Sequence, residues 1–359
     1  MVGYYYLGII EAGDTVGYFQ SAVELNQTMS SDLIAYFQGI YQAELPTHAS
    51  NWHSVFFVKM ISPIVFLSNG NYWLTAIYLT LVNFLLSWTA LRYLLAAFNR
   101  KWLLYIAIFG IPSVLTWSGG VFKESVANGL FLLFLGILIY CIHTWKKPSL
   151  FETVVLFMAG LLIFHLRFYL LGIALGYSIS LIWIRRFVQS KNLLWGGLVA
   201  FFLLAFISAQ WLHPWLRPTR LPLTLYENYE QLHSQTATSN FYIPGFQPNY
   251  WGLIIASPLA LFTGWFRPFL WELPTIHWIP FALEKLSFLF LLLSTFYSIK
   301  NIRFTPHVSV SLLWLAILTI SITLTTPNFG TLMRYSSVFL PFLFLILGYY
   351  PLRKIDAIR

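Results

Sequence analysis

Apolar runs of roughly 17 to 23 residues, separated by short clusters of Lys and Arg, recur along most of this chain, and that length carries a helix across a hydrocarbon core. The runs do not alternate with a period of two, so helices rather than strands of a closed barrel are expected. They predict spans near 71–91, 102–118, 125–142, 150–166, 168–184, 193–210, 277–299, 308–325 and 336–350. The fold class that follows is all-α: a polytopic membrane protein of about 9–10 transmembrane helices in one transmembrane domain, 1–359. The first stretch, MVGYYYLGII, is too short to cross, and reads as an interfacial segment or as part of a first helix.

Two long, more polar connections interrupt this pattern. Residues 11–70 contain YFQSAVELNQ and SDLIAYFQGIY, mixtures of aromatic and polar positions that suit short interfacial helices. NWHSVFFVKMISPIVFLSNG reads as a further helix lying at, or dipping into, the same interface, because it carries Lys59. Residues 211–276 form the second connection. Its apolar part, WGLIIASPLALFTGWFRPFLWELP, holds Pro258, Pro268 and Pro274, which predict a broken or re-entrant segment rather than a straight crossing.

Charge then orients the spans. One alternate set of connections holds thirteen of the 21 Lys and Arg residues with only Glu152 and Asp356 as acids, net +11; the rest of the chain holds eight basic and ten acidic residues, net −2. The basic side is expected in the cytoplasm, with the C-terminus, and the two long connections outside. Composition agrees: hydrophobic residues make up 58% of the chain, charged residues 9%, and mean hydropathy is +0.70. The net charge of +9 lies in loop clusters and not along a stripe, so no nucleic-acid partner is expected. Cys141 is the single cysteine, which excludes an internal disulfide and a thiolate metal cluster. No basic segment precedes the first apolar stretch, so no cleavable signal peptide is expected.

Charged groups at membrane depth are costly and by default point to function. They occur in five places: Glu11 and Asp14 in EAGDTVGYF; Lys123 and Glu124 in TWSGGVFKES; His165 and Arg167 in FHLRFYL; Arg267 and Glu272 in FRPFLWE; and Arg334, with Tyr335, in NFGTLMRY. In the topology above all five open to the non-cytoplasmic face. The four acids support this independently, since the orientation rule takes little account of them.

Each group also has a structural reading. Lys123 and Glu124 suit a helix start, where Glu complements the dipole and Lys snorkels. Asp14 suits the cap of a helix beginning near Val16. His165 and Arg167 suit a tight turn between two spans, and Arg334 an interface anchor. Arg267 and Glu272, five apart, share no helical face and pair only if the helix breaks between them. Taken together, Arg and Lys can cradle a phosphate, and a carboxylate can take a proton from a hydroxyl or hold a divalent cation. Trp and Tyr, frequent in the outer segments, can stack on sugars, although they also belt membrane interfaces.

The acidic early segment GDTVGYFQSA, the many short-looped spans and the late RYSSVFLPFLFLIL resemble the GT-C superfamily of integral membrane glycosyltransferases. The resemblance implies a sugar donor linked to polyprenyl phosphate, a glycan or lipid acceptor, and a site facing outward from a bacterial inner membrane. It implies Asp14 as catalytic base and Glu11 as its neighbour, with Mg or Mn held by these two if a metal is used. Lys123, Glu124, His165, Arg167, Arg267, Glu272, Arg334 and Tyr335 would lie on the substrate and phosphate side. The chain departs from that pattern in lacking a complete first transmembrane helix and an acidic pair in a second outer loop. An O-antigen polymerase or ligase, using Arg217, Arg220 and Arg267 of the long outer loop, is the alternative enzyme. A transporter of lipid-linked sugars fits less well, because the charges cluster at one face and no internal repeat is visible.

Overall fold

The computed structural model describes residues 13–31, 34, 36, 38, 52–98, 100–187, 191–212, 217–234, 239–297 and 305–349. Glu11, the MVGYYYLGII stretch and most of SDLIAYFQGIY lie outside the described residues. The protein is all-helical, 83% helix with no strand among the described residues. In chain order the helices are α1 (Asp14–Ser31), α2 (Trp52–Leu67), α3 (Tyr72–Ala97), α4 (Lys101–Phe109), α5 (Pro112–Ser118), α6 (Glu124–Thr144) and α7 (Leu150–Phe187). They continue with α8 (Lys191–Leu212), α9 (Leu221–His233), α10 (Tyr250–Phe266), α11 (Ile279–Tyr297), α12 (Pro306–Thr325), α13 (Phe329–Ser336) and α14 (Leu340–Gly348).

Among the described residues, five helices are long and apolar enough to cross a membrane: α3, α6, α7, α12, and α11 taken with the turn before it from Ile276. The number rises to seven if α4 with α5, bent by 49°, and α13 with α14, bent by 70°, each form one broken span. The turn expected at His165–Arg167 falls where two helical legs of α7 meet, at a non-helical Arg167 with φ −154°, ψ 73°. The apolar stretch after Tyr250 breaks at the end of α10, where Arg267 follows Phe266 as the C-cap just before Pro268, while Pro258 lies inside the helix. Proline is tolerated inside membrane helices, where neighbours satisfy the freed carbonyl.

The chain divides into two compact units, residues 1–99 with 114–175 and residues 100–113 with 176–359. In the first unit α3 packs along α6, and small residues set how close they come. A side chain at Gly129 would meet Asn83 Oδ1 at 2.8 Å and Leu86 Cβ at 2.9 Å; seven residues on, one at Gly136 would meet the Ala90 carbonyl at 3.2 Å. This is the small-residue contact of membrane helices, driven by dispersion because lipid is as apolar as the side chains. α1 lies on α2: Tyr18 meets Phe57 edge-on at 5.2 Å, and Asn26 and Ser62 exchange hydrogen bonds of 2.7 and 2.9 Å. α3 starts at Asn71, whose side chain accepts from the Leu74 amide at 3.1 Å.

In the second unit α10 and α12 approach so closely that a Cβ at Gly264 would lie 2.4 Å from Thr319 Cγ2. Trp265 Nε1 donates to Thr319 Oγ1 at 2.9 Å. The last part of α7 packs with α8 and α12 through Ile184, Leu194, Leu198 and Val310. Residues 239–241 reach the start of α13 through two backbone hydrogen bonds, Phe241 N to Pro327 O at 2.9 Å and Phe329 N to Ser239 O at 3.0 Å.

Candidate functional site

The sequence-selected charges fall in both units. The first unit gathers the densest set. Lys123 closes the turn after α5, a turn that needs Gly120 because its φ is +128°. The next residue, Glu124, opens α6, where its charge complements the helix N-terminus. Arg167 comes to Glu124 from the kink of α7, and Nη2 and Oε1 form an ion pair whose side chains are 15% and 6% exposed. Lys123 is buried; its Nζ donates to Ser54 Oγ of α2 at 2.9 Å and lies 5.3 Å from the centroid of the Tyr18 ring of α1. Two cations and one carboxylate from separate parts of the chain thus meet beside α1 and α2.

The kink also orders a histidine that sequence reasoning passed over. A non-helical residue interrupts the ladder of carbonyl-to-amide bonds in α7, and the His165 carbonyl accepts instead from Nδ1 of His53 at 2.8 Å. His165 itself donates from Nδ1 to the Leu161 carbonyl at 2.9 Å and packs at a tilt against Phe56, 4.6 Å away. The His53 ring packs against Trp52, 4.0 Å away, and against Phe168, 5.6 Å away and nearly parallel. Burial holds the His53 pKa below its ordinary value, and the charges of Lys123, Arg167 and His165 act in the same direction, against the hydrogen bond to the His165 carbonyl. The signal in the sequence was a Trp-His-Ser triplet heading an otherwise apolar helix.

Asp14 lies at the start of this arrangement, though not as the cap. Gly13, at φ +112°, supplies the carbonyl that accepts from Val16 and Gly17, and Asp14 is the first, exposed residue of α1. Thr15 beside it is buried and bonded to the Tyr72 hydroxyl at 2.6 Å. Tyr72 is in turn hydrogen-bonded to the backbone of Val121, two residues before Lys123. One hydrogen-bonded path therefore leads from the start of α1 to the turn that carries Lys123. Nearby, Ser21 Oγ, Trp117 Nε1 and Ser118 Oγ are buried with no hydrogen-bond partner among the described residues. Among those residues no three His, Cys, Asp or Glu side chains gather in a way that could hold a metal ion. Glu11, which the resemblance paired with Asp14 for Mg or Mn, lies outside the described residues, and no step below is routed through a metal.

In the second unit the chain leaves α10 at Arg267 and turns back through Leu270–Glu272, which is the break that an Arg267–Glu272 pair needs. Glu272 accepts Arg267 Nε at 2.9 and 3.1 Å and also caps the Phe269 amide at 2.8 Å. The guanidinium lies 5.7 Å from the Phe241 ring centroid and 5.1 Å from that of Phe329. Arg334 and Tyr335 lie on α13, the helix that Phe329 begins, with Arg334 Nη2 3.3 Å from the Tyr335 hydroxyl.

A second pair, Glu284 and Lys285, falls in the part of the chain that the charge count leaves net negative, and both are buried inside α11. Glu284 accepts the Ser113 amide at 2.7 Å and its hydroxyl at 2.9 Å, so it satisfies a donor in the first turn of α5. Lys285 Nζ donates to the Gly264 carbonyl at 3.0 Å, in the last turn of α10. The acid serves a helix start and the base a helix end, each with the charge that end prefers.

Compared with family models, with curated proteins and with solved structures, the chain has no match in any of the three.

Proposed function

We propose that this protein is a membrane glycosyltransferase that moves a sugar from a polyprenyl-phosphate-linked donor to an envelope glycan or lipid acceptor on the outer face of a bacterial inner membrane. The observation that carries the reading is the meeting of Lys123, Arg167 and Glu124 with His53 and Ser54, beside a helix that starts at Asp14. Such a set supplies what transfer from a lipid phosphate requires. Lys123 and Arg167 face the donor phosphate and stabilise the charge that develops as its bond to the sugar breaks. Glu124 holds Arg167 in place, and the exposed Asp14 carboxylate is the base implied by the resemblance to GT-C enzymes. Arg334 and Tyr335 are carried as phosphate-side residues on the same resemblance.

The finer topology belongs to this proposal. α7 has 38 residues and rises about 57 Å at helical pitch. That is too long for one crossing of a core about 30 Å thick, so its two legs on either side of Arg167 cross separately. With both bent pairs and α8 each counted as one span, the count reaches the nine expected from the sequence, and α10 is the re-entrant segment on the outer side. The outer connections then carry α1, α2 and α9, and the C-terminus is cytoplasmic.

The test is replacement in cells that depend on the protein, scored for glycan product with protein level checked. Asp14→Asn and Arg167→Met abolish product while Arg267→Ala and Arg334→Ala reduce it. Full activity of Asp14→Asn removes the base assignment. Loss of product confined to the outer-loop arginines transfers the proposal to the polymerase class.

A further inference from the structure

We infer that His53 is a catalytic residue, the group that takes the proton from the attacking hydroxyl of the sugar acceptor; this rests on the glycosyl-transfer reading above. Three features of the geometry lead to it. A carbonyl can only accept, so the 2.8 Å contact with the His165 carbonyl fixes the His53 proton on Nδ1 and leaves the Nε2 lone pair bare. No described residue hydrogen-bonds Nε2. The ring packs against both Trp52 and Phe168, which together with the hydrogen bond at Nδ1 gives the lone pair a set direction. The third feature is the setting: Trp52, 47% exposed, offers a flat apolar face of the kind that sugars stack on, one residue from the base and two from Ser54, the partner of Lys123.

The charged groups that act on His53 are Lys123 at the head of α6 and His165 and Arg167 on α7; behind them Glu124 is bonded to Arg167, and the Tyr18 ring of α1 lies by Lys123. The cations among them, together with burial, keep the imidazole neutral near pH 7, the form that can accept a proton. In this assignment His53 takes the place of Asp14 as the base: Asp14→Asn then keeps its product while His53→Gln loses it, the reverse of what the base assignment by resemblance expects.

The step balances as follows. The acceptor oxygen forms a bond to the anomeric carbon as the bond between that carbon and the phosphate oxygen breaks. The bonding pair leaves on the phosphate, which Lys123 and Arg167 face. The hydroxyl proton passes to His53 Nε2, giving an imidazolium that returns the proton to water.

Two measurements on the full-length protein in lipid nanodiscs test this. In nitrogen-labelled histidine spectra, the signals lost in His53→Gln belong to His53. They are expected to show the tautomer protonated on Nδ1, the opposite of the one free histidine favours. A proton on Nε2 overturns the assignment whatever the reaction. In the second, polyprenyl-phosphate-linked mannose and glucose are supplied with envelope glycan from the host, and initial rates are followed from pH 5 to 8. The wild-type rate is expected to fall with acid, about tenfold per pH unit once His53 is protonated. His53→Gln should lose about a hundredfold or more in kcat with little change in donor KM, and should lose the acid limb as well. Turnover by wild type with an unchanged His53→Gln profile overturns the role of His53 alone. Absence of turnover by wild type with every donor overturns the glycosyl-transfer reading itself, and the base with it.

Discussion

Removing one side of the Glu124–Arg167 pair should destabilise the protein far more than removing both. The side chains are 6% and 15% exposed, so Arg167→Met leaves a buried carboxylate without its main partner. A buried charge stranded in this way costs about 3–5 kcal/mol. Glu124→Gln costs a similar amount by stranding the guanidinium, and adds about 0.3–1 kcal/mol for the charge lost from the first turn of α6. In the double variant neither charge remains to be desolvated, and replacement of a buried pair by neutral groups is often close to neutral. The coupling energy from the double-mutant cycle should therefore be about 2 kcal/mol or more. It would be measured by equilibrium unfolding of the purified protein in mixed micelles, with intrinsic Trp fluorescence as the signal. If the double variant loses the sum of the two single losses, within about 0.5 kcal/mol, the two groups do not act as a pair and the geometry argued for the kink of α7 is wrong.

The close contact between α3 and α6 predicts a graded response at two glycines. Gly129→Ala places a Cβ 2.9 Å from Leu86 Cβ and 3.0 Å from the Asn83 carbonyl oxygen; neither can swing aside, so a loss of about 1–3 kcal/mol is expected. Gly136→Ala meets the Ala90 carbonyl at 3.2 Å and should cost less than about 1 kcal/mol, helix propensity offsetting part of the crowding; equal losses in the unfolding assay would contradict the helix register. Titration of His53 gives a pH prediction. Its folded pKa lies below the unfolded value of about 6.5, so the unfolded state binds the extra proton and stability rises with pH through that window. The contribution is present in full above pH 6.5 and is lost as pH falls toward the folded value. The unfolding midpoint of wild type should drop more steeply between pH 7 and 5 than that of His53→Asn, and parallel curves would count against it.

The sequence alone was enough to determine an all-helical chain with several helices long and apolar enough to cross a membrane, because apolar length is a local property of the chain. It also marked Lys123, Glu124 and Arg167 as anomalous, since a charge in an apolar run is visible without knowing its neighbours. The pairing that results was not visible. Glu124 and Arg167 are 43 residues apart, and only the kink of α7 brings one guanidinium to that carboxylate. His53 was passed over for the same reason: a lone imidazole on a short helix acquires meaning only when a distant carbonyl, released by that kink, fixes its proton. Glu284 and Lys285 were visible as an acid and a base in a span, yet the helix ends they satisfy belong to α5 and α10. The capping demands of a helix end follow from its own backbone, but which side chain meets them is decided by tertiary packing.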